Sequence, residues 1–462
     1  MSINHSYVGR ERIIDALKRE DIRIFFLGIG GAGQSTLAGL LRARGYVVSG
    51  SDRERTEITD ALSRSGINVF IGHSRDNFRG QDMLVYTLAA DADTPELTFA
   101  KECGILAVSR AELLGAVMSF YKEPIGISGA HGKSTTTAIL SHIFKRSGRA
   151  YTTVSGAPLL DSPPLYVGGE DYLIYEACEY RDSFLHFTPS TQLITSAELD
   201  HADYFKSIEQ LRRSYRLSCD GAKSVVLNID DEYLRDISGE LGAITYGQHK
   251  NADFRYEISR ADATGSDFTV FYGGVPYGEF HISKIGSHNV SNATAAIAIS
   301  YIYNIKEEIV KKSLCEFTGI PRRMERLGSF AGRPIIYDYA HHPSEIEATL
   351  STLREFYNEI TVVFAPHTYS RTASLWSDFI RVLRLPDHTV LLPIYPAREA
   401  KIDGITSPRL AYEIGQGACS LDELSVMPYV RDRTDGAIVL MGAGDLNIVK
   451  NAFLQSKLYI KG

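Results

Sequence analysis

The stretch Gly129-Ala130-His131-Gly132-Lys133-Ser134-Thr135-Thr136-Thr137 decides how this chain is read. Ile125-Gly126-Ile127 leads into it as a short buried strand. Ala138-Ile139-Leu140 and Ile143-Phe144 follow at helical spacing, and Gly148 supplies a stop. A Gly-rich turn between a strand and a helix aims backbone N–H groups and the positive end of a helix dipole at a phosphate. Lys133 can then reach the outer phosphates as a point charge, and the Ser134 hydroxyl can ligate Mg²⁺. A fully spaced P-loop places Gly five residues before Gly132. Ile127 stands there, with glycines at Gly126 and Gly129, so the loop is a shortened variant. An ordinary Gly-rich turn is the competing reading. Gly-Lys-Ser followed by three threonines at a helix start is hard to explain by packing alone.

At 462 residues the chain exceeds one hydrophobic core and implies two to four domains. Its 44% hydrophobic and 23% charged residues are ordinary for a globular protein. A net charge of −7 argues against a general binder of nucleic acid or anionic membranes, so any phosphate site must be local. The five cysteines are scattered without a CxxC pair, which fits a reduced, cytoplasmic protein. The polar N-terminus lacks a signal-like apolar core, and no run approaches the roughly 18 apolar residues of a membrane span.

Outward from the P-loop, the chain reads as repeated strand–turn–helix units. Residues 11–20 suggest a short helix. Ile22 to Leu27 suggests a buried strand that runs into Gly28-Ile29-Gly30-Gly31-Ala32-Gly33. Leu37, Leu40 and Leu41 continue as a helix, and Tyr46-Val47-Val48 opens a strand ending at Asp52, 19 positions beyond Gly33. This is a βαβ unit with a G-x-G-x-x-G turn and a following acid, the pattern of a dinucleotide fingerprint in which the acid holds a ribose; it favours phosphate or diphosphate binding without specifying the nucleotide. Met83–Tyr86 and Ile105–Val108 supply further strands, and Arg110–Tyr121 suggests a helix. Beyond the P-loop, strands are expected at Tyr172–Ala177, Leu193–Thr195 and Val225–Asn228. A small antiparallel patch is expected over 244–284 and an Ala-rich helix over 286–302. A last block carries strands at Ile335–Asp338, Ile360–Phe364, Val390–Ile394 and Ala437–Met441, each followed by a polar cluster. Ligands bind at that edge of parallel sheets. The expected fold class is α/β in three domains. These are a Rossmann-like domain over 1–118, a central P-loop ATPase-like sheet over 119–318, and a C-terminal Rossmann-like α/β domain over 319–462. Linkers near 119–124 and 318–321 are the expected hinges. Two phosphate turns in three such blocks suggest an enzyme that joins two substrates by means of a nucleoside triphosphate, with a simple kinase or a dehydrogenase as the open alternatives.

Several motifs in order make the chain resemble the Mur ligase family, from about Ile22 to Leu446. They are Gly28–Gly33, Gly129–Ser134, Glu176-Ala177-Cys178-Glu179-Tyr180, Asp200-His201-Ala202-Asp203 and His288-Asn289-Val290-Ser291-Asn292. Arg322-Arg323, Asp338 to Pro343, Pro366 to Thr372 and Tyr395 to Glu399 complete the set. The resemblance is greatest to the branch that adds L-alanine. It implies ATP and Mg²⁺ as cofactors, with UDP-N-acetylmuramate and L-alanine as substrates. It also implies an acyl-phosphate intermediate on the lactyl carboxylate, a role in peptidoglycan precursor synthesis, and a monomer or homodimer.

The same resemblance assigns roles. Gly129, His131, Gly132, Lys133, Ser134 and Thr135 would cradle the ATP phosphates. His288, Asn289 and Asn292 would meet adenine and ribose, with helix capping as the other reading of Asn289. Arg322 resembles a phosphate contact and Asp338 a ribose or lysine partner. Ser134, Glu176 and His201 would hold Mg²⁺. His341, His342, His367 and Arg371 would take the amino acid, one of the adjacent histidines being structural. Gly28, Gly30, Gly31 and Gly33, with Asp52, Thr87, Ser109 and Arg110, would hold the UDP-sugar. Lys133, Glu176, His201, His367 and Arg371 would carry the chemistry.

The chain departs from the family pattern in places. Ser134 stands where Thr is frequent, Ser196 where Asn is usual, and Tyr337 replaces the first acid of an Asp-Asp pair. Gln34 and Thr36 differ after the first Gly turn. A ligase that recycles a whole tripeptide, or a relative using another small amino acid, is the alternative within this chemistry. A non-catalytic binding protein and a UDP-sugar dehydrogenase lie outside it. The first would not need Lys133, Glu176, His201 and Arg371, and the second offers no role for the P-loop.

Overall fold

The computed structural model describes residues 9–87, 90–159, 163–198, 204–262, 264–397, 399–432, 436–444 and 446–461. Three sheets carry the fold. The first is a five-stranded parallel sheet: β1 (Arg23–Leu27), β2 (Val47–Asp52), β3 (Asn68–Ile71), β4 (Met83–Tyr86) and β5 (Leu106–Ser109), in the order β3-β2-β1-β4-β5. Helices cover both faces of such a sheet, so its inner strands are near-continuous apolar runs, as in Ile24-Phe25-Phe26-Leu27. The strand order reverses at β1. The Gly28–Gly33 turn leaves β1 at that point and opens the helix Ala32–Ala43, which buries Leu37, Leu40 and Leu41. The N-terminal helix spans Arg10–Leu17, shorter than the expected 11–20. The helix expected to reach Tyr121 is α-helical over Arg110–Val117 and tightens to a 3₁₀ turn over Met118–Phe120.

The second sheet has ten strands: β6 (Glu123–Ser128), β7 (Tyr151–Val154), β8 (Leu165–Val167), β9 (Tyr172–Glu176), β10 (Thr191–Ile194), β11 (Ser224–Asn228), β12 (Ile244–Gly247), β13 (Phe254–Asp262), β14 (Gly265–Tyr272) and β15 (Val275–Ile282). Their order is β15-β14-β13-β12-β11-β10-β6-β9-β7-β8. The middle is parallel, with β6 between β10 and β9. The stretch 244–284 is not a separate antiparallel patch. β12 pairs in parallel with β11 and β13, and β14–β15 is an antiparallel hairpin on the same sheet. The pattern of short apolar strands does not distinguish an isolated ribbon from an extension of a larger sheet, because pairing partners are non-local.

The third sheet comprises β16 (Glu325–Phe330), β17 (Arg333–Asp338), β18 (Ile360–Phe364), β19 (His388–Leu391), β20 (Ala418–Ser420), β21 (Ala437–Met441) and β22 (Tyr459–Lys461), ordered β20-β19-β18-β21-β17-β16-β22. β17 to β21 run parallel, and β16 and β22 finish one edge antiparallel.

The chain divides into two compact units, one of residues 1–261 and 265–318, the other of residues 262–264 and 319–462. The first unit holds two sheets because they share apolar packing. Leu113, Leu114 and Val117 of the first domain join Tyr175, Phe184 and Phe187 of the central domain in a single buried cluster. Gly115 allows the approach: a Cβ there would lie 2.2 Å from the His186 carbonyl oxygen. The expected hinge at 119–124 borders this cluster: Tyr121 and Pro124 are buried, Ser119 and Lys122 are exposed, and β6 starts at Glu123.

Candidate active site

β6 is the strand that enters the P-loop. Its neighbours β9 and β10 end beside it, so Glu176 and Thr195-Ser196 flank the turn. Glycine is required at two loop positions. Gly129 has φ 123° and no room for a Cβ, which would lie 2.3 Å from Thr195 Oγ1. Gly132 has φ 84° and would place a Cβ 2.5 Å from Asn292 Oδ1. The loop backbone is held from β10. The His131 N–H donates to Ser196 Oγ at 2.9 Å, and Thr195 Oγ1 lies against the His131 carbonyl. Ser196, which replaces the Asn usual in the resemblance, thus anchors the turn. His131 Nε2 lies 2.6 Å from Glu198 Oε2.

Lys133 opens the helix Lys133–Arg146. Its Nζ donates to the Gly129 carbonyl and, at 3.2 Å, to the Ala130 carbonyl, and stands 3.4 Å from both Glu179 carboxylate oxygens. Burial pushes the ammonium pKa down. The Glu179 carboxylate, with Cys178 and Glu176 near it, outweighs that and leaves it raised. Glu179 stands in the Glu176–Tyr180 motif, but sequence reasoning gave it no role; the structure places it beside Lys133. Its signal is the Glu-x-x-Glu spacing at the end of β9, which puts one carboxylate beside Ser134 and the other beside Lys133. The Ser134 hydroxyl donates to Glu176 Oε2 at 3.0 Å. Glu176 Oε1 accepts from Ser155 Oγ at 2.6 Å and the Gly156 N–H at 2.9 Å. Two oxygen donors, a neutral hydroxyl and a carboxylate, therefore meet at the helix start. Such a hard, partly protein-built set fits Mg²⁺, which keeps waters and phosphate oxygens for its other positions. His201, with Asp200 and Asp203, lies outside the described residues.

Asn289 and Asn292 are buried in the first turns of the helix Ser287–Ile302. Asn289 Nδ2 donates to the Ile285 carbonyl at 2.7 Å and lies 3.1 Å from His288 Nε2, so Asn289 secures its own helix start. Asn292 faces Gly132. Thr135 is half-buried in the first turn of the P-loop helix.

At the first Gly turn, Asp52 ends β2 and accepts the Gly30 N–H at 2.8 Å, so it fixes the turn backbone. Thr87 packs against Gly28. Ser109 caps the helix Arg110–Val117 in a reciprocal box with Glu112. Arg110 lies across Gly33, where a Cβ would sit 3.1 Å from Arg110 Cδ and Nε. Thr36 Oγ1 reaches the Ala32 carbonyl at 2.7 Å, with the Ser155 carbonyl at 3.4 Å. Gln34 is buried with Nε2 on the Leu27 carbonyl.

In the second unit the strand ends gather another cluster. The Arg371 Nη1 lies 3.3 Å from His367 Nδ1, and the His341 and His367 rings are 6.1 Å apart. His367 stacks on Tyr395. Burial, then the Arg371 charge, then His341 lower its pKa to about 4, so the ring is neutral near pH 7 and can accept from the guanidinium. His341 is lowered as well, mainly by burial. His342 makes a structural contact. It caps the helix Pro343–Arg354, with Nδ1 2.9 Å from Ser344 Oγ. Arg322 sits with φ 62°. It donates to the Gly442 and Gly444 carbonyls at 2.6 and 3.0 Å and stacks over Tyr337 and Tyr339. Tyr337, in place of an acid, therefore seats this guanidinium. Asp338 is buried and accepts from the Met324 and Ala340 N–H groups at 2.7 and 2.9 Å, and from Thr349 Oγ1. It ties down the loop that carries Arg322.

Family comparison matches residues 23–122 to the Mur ligase family catalytic domain, 127–300 to the Mur ligase middle domain, and 322–453 to the Mur ligase glutamate ligase domain. A UDP-N-acetylmuramate--L-alanine ligase of Caldicellulosiruptor saccharolyticus is 36% identical over 453 residues, covering 92% of this chain and 96% of that one. One from Agathobacter rectalis is 40% identical over 396 residues, covering 84% and 86%. Among solved structures, the UDP-N-acetylmuramate-alanine ligase of Thermotoga maritima superposes with a TM-score of 0.80 at 28% identity, covering 94% of this chain and 98% of that one. A murein peptide ligase from Psychrobacter arcticus shares the fold at a TM-score of 0.66. The three matched domains and the full-length relatives place this chain in the Mur ligase family.

Proposed function

We propose that the chain is an ATP-dependent ligase that joins L-alanine to the lactyl carboxylate of UDP-N-acetylmuramate in peptidoglycan precursor synthesis. The observation that carries the reading is the joint one. The chain aligns end to end with ligases of that name, and it retains a P-loop whose Lys133 and Ser134 face two carboxylates at the end of β9.

The chemistry makes each group intelligible. A carboxylate oxygen attacks the γ-phosphorus of ATP, the bond to the β,γ-bridging oxygen breaks, and ADP leaves with that electron pair. The amine of alanine then attacks the acyl carbon, phosphate leaves, and the nitrogen sheds a proton. The first step brings two anions together, so positive charge must be prearranged. Lys133 supplies it at the phosphates. Ser134 and Glu176, with His201 by resemblance, would hold Mg²⁺, which neutralises phosphate charge when bound. Asn292 beside Gly132, with His288 and Asn289, is our assignment for the adenosine side. Arg322 is assigned to a phosphate, on a loop that Asp338 braces. Gly28, Gly30, Gly31 and Gly33 at the β1 switch point are assigned to the UDP diphosphate, with Asp52 holding the turn in shape. Arg371 is assigned to the alanine carboxylate, and neutral His367 orients that guanidinium. We assign the UDP-sugar to 1–118, ATP to 119–318 and the amino acid to 319–462. A cytoplasmic location accords with ATP as a substrate and with five free cysteines.

The test is phosphate release from ATP with UDP-N-acetylmuramate and, in turn, L-alanine, glycine, L-serine or the tripeptide. Release that depends on L-alanine is expected. Release with the tripeptide and not with L-alanine would move the chain to the recycling chemistry.

A further inference from the structure

Two cations converge on the end of β9 from different sheets. Lys133 comes from the P-loop and is bound to protein carbonyls and to Glu179. Arg110 comes from the end of β5 and is different. It is half-buried, and burial lowers its pKa against the pull of Cys178 and Glu176. Among the described residues no hydrogen bond or ion pair engages its guanidinium. A partly desolvated guanidinium without a partner is costly, and its five donors are suited to a planar carboxylate. Its place is also specific. It lies over Gly33, at the helix end of the first Gly turn, while its charge is felt by Cys178. Cys178 feels Lys133 too, so the thiol sits in the field of both cations. The space between the diphosphate turn and the P-loop is thus bounded by one committed cation and one uncommitted cation.

We propose that Arg110 grips the acceptor carboxylate of the sugar nucleotide, not its diphosphate, and aligns that carboxylate toward the phosphate held by Lys133. This rests on the ligase reading above. It follows from charge balance. The Gly28–Gly33 turn offers backbone N–H groups and a helix start for the diphosphate, whereas a monoanionic carboxylate that must approach ATP needs its own cation.

The test compares two ligands that differ only in the lactyl group: UDP-N-acetylmuramate and UDP-N-acetylglucosamine. Their affinities are measured by calorimetry for the wild-type chain, Arg110→Ala and Arg110→Lys. A charge-assisted contact of this kind corresponds to about 10- to 100-fold in affinity. Arg110→Ala should lose that factor for the lactyl-bearing sugar and leave the other within about twofold. Arg110→Lys should recover part of it, as a point charge without the fork. The unchanged affinity for the second sugar also reports that the variant is folded. Equal loss for both sugars would overturn the proposal in favour of a diphosphate contact, and no loss for either would overturn it outright. A wild-type chain that binds neither sugar, or shows no alanine-dependent phosphate release, would sink the ligase reading itself.

Discussion

The Lys133 ammonium stands 3.4 Å from both carboxylate oxygens of Glu179, and the two side chains are only 19% and 4% exposed. The P-loop cation is therefore held in place by a partner 46 positions away in sequence, and removing either member strands the other charge. A double-mutant cycle with Lys133→Met and Glu179→Gln, read by urea unfolding, should return a coupling of about 1–3 kcal/mol. A coupling near zero would mean the pair does not hold the loop.

For turnover, Lys133→Ala should lower alanine-dependent phosphate release by at least about 10²- to 10³-fold, the scale of losing a preorganised charge at a transition state. Affinity for the UDP-sugar should change little, because the first Gly turn is built from β1 and β2 and not from the P-loop. Loss of sugar binding in this variant would contradict the division of substrates between the first two sheets.

Ser134 keeps the hydroxyl that the chemistry requires. Ser134→Thr should retain activity within about threefold. Ser134→Ala should lose about 10- to 100-fold and shift the Mg²⁺ requirement upward, as removal of an inner-set oxygen donor does. Magnesium titrations of phosphate release check this, and chelation should abolish release in all three forms. An alanine variant with unchanged Mg²⁺ dependence would remove Ser134 from the metal site.

At the amino-acid end, Arg371→Ala should raise the KM for L-alanine by about 10- to 100-fold and leave the KM for ATP within about twofold. Arg371→Lys should recover part of the loss, since the charge returns without the bidentate fork. Equal effects on both KM values would place Arg371 elsewhere.

His367 gives a pH signature. Its pKa falls from 6.5 to about 4 in the folded chain. Between those values the unfolded chain carries a proton that the folded ring refuses, so the unfolded state binds more protons and stability rises with pH. The contribution is absent above about pH 6.5, where both forms are neutral. It grows as a destabilisation on acidification and levels off below about pH 4. His367→Gln should flatten the difference in unfolding free energy across pH 4 to 6.5, measured against wild type. His341 is lowered too and adds in the same direction.

Much of the fold could be read from local patterns. Both Gly-rich turns lie between strand and helix as the apolar spacing requires, and the strands through Phe25, Ile174, Leu193, Val362 and Val439 stand where short buried runs predict them. What local patterns could not carry is pairing at long range. Strand β7 (Tyr-Thr-Thr-Val) carries little apolar signal and β8 (Leu-Tyr-Val) is only three residues long; β7 is a strand because it pairs with β9, and β8 because it pairs in turn with β7. The same limit applies to the site. Lys133 and Ser134 stand out by the chemistry of the Gly-rich turn, and Glu176, His367 and Arg371 by the family resemblance; the structure brings the first three together in one unit and the last two in the other. That Ser109 and His342 cap helices, and that Asp338 braces the Arg322 loop, depends on partners such as Glu112, Ser344 and Met324. Those pairings depend on backbone geometry that the sequence pattern alone does not specify.

The apolar cluster joining Leu113, Leu114 and Val117 to Tyr175, Phe184 and Phe187 has a consequence for how the molecule melts. The proposed functional division at residue 118 is not a division in packing. Severing the chain there would expose that cluster on both fragments, and each large side chain buried in it is worth about 1.5–3 kcal/mol. Scanning calorimetry should therefore resolve two transitions and not three, the larger one carrying the first two sheets together. The first two sheets are then gained on folding and lost on melting as one piece.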